Sequence, residues 1–175
     1  MSIRRLVTGN RDGKSVVLSD GAMPRYHHYR ETPGFSTALA WSSSQLSAHS
    51  HSETVGPKTS YLPSDGGSTL IIATFPPDSV FTSGSFDPEA AYLEQKEHLT
   101  GLIDHFDPDR PGMHATPTLD YGIVLSGTVW LELDDGVVDR LDPFSVVVQQ
   151  GNVHAWRNQG SEPATVAFVL ISQHS

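Results

Sequence analysis

His114, Asp120 and His154 are side chains of types that can share one metal ion or move a proton. Two imidazoles and a carboxylate can occupy one face of a divalent ion and leave positions open for substrate, dioxygen or water. Such a set suits iron, manganese, nickel or zinc. His98 and His105 fall in a stretch of helical spacing, and a helix across a cavity mouth could lend either one as a catalytic acid or base. Trp156 stands two residues beyond His154, so in an extended strand both point to one side. Its indole would stack on an aromatic substrate or simply fill a core. His49, Ser50, His51, Ser52 and Glu53 spell His-x-His-x-Glu in a serine-rich loop, where no rigid element fixes ligand directions, so a surface segment is the favoured reading. His27 and His28, beside Tyr26 and Tyr29, read as an arm or interface feature.

Short strands must position these groups. Residues 121–126, 128–134, 137–141, 145–149 and 164–172 are β-like runs divided by turn residues, and 68–75 is another, ended by Pro76 and Pro77. Val129, Leu131 and Leu133 alternate with polar neighbours, the period of a sheet with one face in a core. Asp135 and Gly136 supply the positive φ angles of a two-residue hairpin turn. Asp87, Pro88 and Glu89 open a helix predicted over 88–105, with an N-cap oxygen, a proline at the first position and a carboxylate at the positive dipole end. Tyr92, Leu99, Leu102, Ile103 and Phe106 form its expected buried face. Residues 1–65 read as an irregular arm of the same domain with short β runs, and 66–175 as a barrel.

The 175 residues suffice for one core, and the absence of cysteine excludes disulfide scaffolds, zinc fingers, iron–sulfur sites and thiol nucleophiles. Twenty acidic against 11 basic residues give a net charge of −9, the wrong sign for nucleic-acid or anionic-membrane partners. No apolar h-region follows Arg4 and Arg5, and no run is long enough to span a bilayer, so the expectation is a soluble, cytoplasmic protein.

The segment from Gly112 through His114 and Asp120 to Gly127 resembles the first motif of the cupin superfamily, and the segment containing Gly151, His154 and Asn158 resembles the second. Thr116 stands where that first motif has its second histidine, and Asp120 replaces a glutamate. Phe144 and Ser145 replace a common Gly-Asp turn, and Gln149 or Gln150 takes the place of a frequent proline. The resemblance implies an all-β fold, a double-stranded β-helix or jelly-roll barrel, with one short helix. It further implies a small-molecule enzyme, dependent on a divalent metal held by His114, Asp120 and His154. Oxygenase, isomerase, cyclase or lyase chemistry on a small apolar or aromatic substrate would be within its reach. Thr116 and Trp156 would contact substrate, and His98 or His105 would move a proton. The alternative is a metal-free, non-catalytic small-molecule binder. No organic cofactor is expected. Edge strands and the N-terminal arm suggest a homodimer.

Overall fold

The computed structural model of the chain describes residues 3–43 and 55–172, so His49, His51 and Glu53 lie outside the described residues. Among the described residues there are eleven strands and one α-helix. Strands β1 (Arg4–Arg11) and β2 (Lys14–Ala22) pair as a two-stranded hairpin. A six-stranded antiparallel sheet follows, containing β3 (Arg25–His28), β4 (Ser36–Ser43), β5 (Ser68–Phe75), β6 (Thr118–Ser126), β9 (Val146–Gln150) and β11 (Ala164–Ser172) in the order β3-β4-β5-β11-β6-β9. Strands β7 (Val129–Glu132), β8 (Val138–Leu141) and β10 (Ala155–Arg157) form a second sheet, ordered β10-β7-β8. Hairpin β7–β8 sits in the chain between the paired strands β6 and β9, the nested arrangement of a rolled-up double hairpin. The fold is a double-stranded β-helix.

Alternation sets the inward faces. On β6, Thr118, Asp120, Gly122 and Val124 are buried, and their register partners on β11 include Leu170, Phe168 and Val166. Val124, Val129, Ala164 and Val166 make one apolar core, with Trp156, Phe168 and Phe75 against it. Tyr29, Leu39, Tyr61, Ile71, Leu99, Ile103 and Leu170 make another.

The leading segment is more regular than its composition suggests. It contributes β1 to β4, and Ala38, Leu39 and Ala40 of β4 are completely or almost completely buried in the main sheet. The helix is shorter than expected: α1 spans Pro88–His98, and Leu99 ends it. Asp87 caps its start, accepting from the backbone N–H groups of Glu89 and Ala90. Gly101 then takes a φ of 81°, which reverses the chain, and Ile103–His105 form only a 3-10 turn. Leu99 and Ile103 are buried from this turn region, whereas Tyr92 on the helix is exposed. The apolar spacing therefore marks a capped helix plus a docked turn.

Candidate functional site

His114 follows the loop after the 3-10 turn, and His154 precedes β10. Each donates its backbone N–H to the other's carbonyl at 2.9 Å, an isolated antiparallel bridge. Directly opposed residues in such a pair project to one face. The imidazole centroids are accordingly 4.3 Å apart. Both rings are anchored in the same way, since His114 Nδ1 donates to the carbonyl of Gly112 at 3.1 Å and His154 Nδ1 to that of Asn152 at 3.0 Å. Each Nε2 is thereby left as the free lone pair. Burial lowers both imidazole pKa values, and the proximity of His154 pushes His114 further, down to about 4. Both rings are neutral at pH 7.

Asp120 lies on the inward face of β6. Its Oδ2 accepts from the Thr116 hydroxyl at 3.2 Å, and Thr118 donates to Thr116 at 2.8 Å. Its Oδ1 is buried without a partner, as is Nε2 of Gln149, the residue opposite it on β9. Burial raises the Asp120 carboxyl pKa against the lowering effect of the Thr118 and Thr116 hydroxyls. Trp156 faces the same interior. Its ring lies 6.4 Å from His154, edge-on, and 5.1 Å from Phe168, while Phe75 stands 6.5 Å away.

The other expected residues divide. His105 stays beside the pair, donating to the Ala115 carbonyl at 3.1 Å and contributing to the low pKa of His114. Its neighbour Phe106 stacks on His114 at 4.4 Å. His98 ends α1 in a group of its own, stacked on His27 at 3.5 Å and edge-on to Tyr29 at 6.3 Å. His27 in turn meets Glu94 at 3.0 Å, which ties β3 to the helix. Asn158 binds the turn after β10, donating to the carbonyls of Phe75 and Glu162. Gln149 was not singled out by sequence, although Val147 and Gln149 are alternate residues of a strand and one face of it had to be inward.

The metal expectation meets a specific difficulty. Both histidines present Nε2 with Nδ1 tied back, as ligating histidines do. Among the described residues, however, no group of three or more His, Cys, Asp or Glu side chains is placed to hold an ion. Asp120 keeps Oδ1 without a partner but is not grouped with the two imidazoles, and its Oδ2 meets the Thr116 hydroxyl. The donors present do not fit a three-ligand centre.

No protein-family model matches the sequence. The chain is 46% identical over 54 residues to the phomopsin biosynthesis cluster protein C' of Diaporthe leptostromiformis, covering 29% of each chain. It is 33% identical over 73 residues to a cupin-domain-containing oxidoreductase of Aspergillus ruber, covering 40% of this chain and 36% of that one. It spans well under half the length of both relatives. Among solved structures, the cupin_2 domain of an XRE family transcriptional regulator from Enterobacter cloacae is 14% identical and covers 61% of this chain and 83% of that one, with a TM-score of 0.37. No helix of the described residues is long and apolar enough to cross a membrane.

Proposed function

We propose that the cupin barrel is the active site of an enzyme that moves protons on a small organic molecule, with an isomerisation, cyclisation or elimination as the outcome. The observation that carries this reading is the His114–His154 pair, 4.3 Å apart with both Nδ1 atoms tied to carbonyls, on an interior that also holds the unpartnered Oδ1 of Asp120. A neutral imidazole Nε2 takes a proton from carbon. In its protonated form the buried carboxyl of Asp120 hands the proton on Oδ1 to the adjacent carbonyl oxygen, which converts a ketone to its enol and leaves Oδ1 as the acceptor for the enolic hydroxyl. The proton on imidazole and the charge on the carboxylate then reset by exchange through solvent or by return to product. Trp156, Phe168 and Phe75 supply an aromatic wall suited to an apolar or aromatic substrate. Relatives named as cupin-domain-containing oxidoreductases support a catalytic reading of the domain.

The reading is metal-independent, because among the described residues a divalent ion would find two oriented imidazoles and no third protein ligand grouped with them. Incubating the protein with aryl ketones in D2O tests it. Proton NMR should show loss of the C–H signals next to the carbonyl at least about tenfold faster than in buffer, and His154→Gln should abolish the excess. Binding without any exchange would assign the barrel to a non-catalytic binder. Stoichiometric iron, manganese, nickel or zinc in protein purified without a chelating tag would overturn the metal-independent chemistry.

A further inference from the structure

Buried polar atoms almost always have partners, and an orphaned one costs roughly 1–3 kcal/mol. Two such orphans face each other here. Asp120 and Gln149 are register partners on the adjacent strands β6 and β9, and they are 6% and 3% exposed. Directly opposed side chains start from Cβ atoms about 5 Å apart. One presents an acceptor, Oδ1, and the other a donor, Nε2, and neither has a hydrogen-bond partner. Thr116 holds the second carboxylate oxygen, which fixes the direction of the first.

The surroundings of this pair are aromatic on one side. Gly122 follows Asp120 on the same face of β6, opposite Phe168. A Cβ at position 122 would come within 3.1 Å of Trp156 Cη2 and 3.4 Å of Phe168 Cε1. Only a residue without a side chain lets both rings reach in beside Asp120.

Resting on the proton-transfer reading above, we propose that Asp120 and Gln149 form the recognition subsite for a ligand hydroxyl, phenolic or enolic, borne by a ring or chain lying against Trp156 and Phe168. A hydroxyl oxygen is the smallest group that satisfies both orphans at once, donating to Oδ1 and accepting from Nε2. The substrate class is therefore a hydroxyl-bearing aromatic, or a ketone that passes through its enol. An ether of the same shape leaves the carboxylate unsatisfied and is rejected.

Phenol and anisole are the probes, titrated into wild type and Gln149→Leu with tryptophan fluorescence and calorimetry as readouts and thermal melting as a control. Wild type should bind phenol at least about tenfold more tightly than anisole. Gln149→Leu should lose about tenfold in phenol affinity while melting no lower than wild type, because it removes a buried amide nitrogen that has no hydrogen-bond partner in the free protein. Equal affinity for the two probes would overturn hydroxyl recognition and leave the barrel a pocket, with ketone exchange in D2O still able to stand. No binding of phenol to folded wild type would mean that a trapped water satisfies the two atoms, and the subsite would fall. A Gln149→Leu variant that melts lower and keeps its phenol affinity would make Gln149 a structural residue and also overturn the proposal.

Discussion

At the scale of single residues, the low pKa of His114 has a measurable consequence for stability. The unfolded chain takes up the His114 proton from about pH 6.5 downward, whereas burial and the facing His154 delay uptake in the barrel to about pH 4. Between those values the unfolded state binds more protons, so stability falls as pH falls. Asp120 acts in the opposite sense, since its raised pKa means that the folded state gains its proton first on acidification. Comparing wild type with His114→Gln isolates the imidazole. Between pH 7 and pH 4.5 wild type should lose about 2 kcal/mol more than the variant in urea denaturation, and parallel losses would show that His114 is not held neutral by its surroundings. The sequence disclosed His114 and His154 because the segments Gly112 to Gly127 and Gly151 to Asn158 each resemble a motif that carries a histidine. It did not disclose Gln149, whose role depends on a strand register reached across 29 residues of chain from Asp120, or the stacking of His98 on His27, which depends on where β3 meets the helix.

At the scale of elements, turn geometry explains both the fidelity and the failures of sequence reading. Asp135 and Gly136 have φ of 59° and 73°, the left-handed pair expected of that dipeptide. The helix overran in expectation because Leu102, Ile103 and Phe106 keep helical spacing through a stretch that Gly101 has already turned. Two other turns carry opposite predictions. Gly127 has a φ of 70°, and a Cβ there would lie 2.7 Å from Ala164 Cα and from the Pro163 carbonyl oxygen. Phe144 has a φ of 72° with its side chain 84% exposed, so a bulky residue sits in the left-handed region with little packing in return. Gly127→Ala should therefore destabilise the protein by about 2 kcal/mol, and Phe144→Gly should stabilise it by about 0.5–1 kcal/mol. Chemical denaturation of both variants checks this, and a destabilised Phe144→Gly would show that the exposed ring makes a stabilising contact.

At the scale of the whole molecule, the barrel's strands were legible wherever a strand alternates or ends at a proline, as at Ser68–Phe75 and Ala164–Ser172. Strands β3 and β10 were not, since residues Arg25–His28 and Ala155–Arg157 are too short to show a period and become strands only through their neighbours. An open groove lined by Arg30, Pro33, Ser79, Ser83 and Phe86 lies on the outside. A working site in the barrel is one on which the imidazole nitrogens report directly. Long-range proton–nitrogen NMR spectra, with His114 and His154 assigned by substitution, should be recorded while a panel of small phenols and aryl ketones is titrated. Ligands that bind should shift the Nε2 resonances of both residues together and leave their Nδ1 atoms protonated against the Gly112 and Asn152 carbonyls. Ligand binding that leaves both Nε2 resonances unmoved would contradict a working site in the barrel.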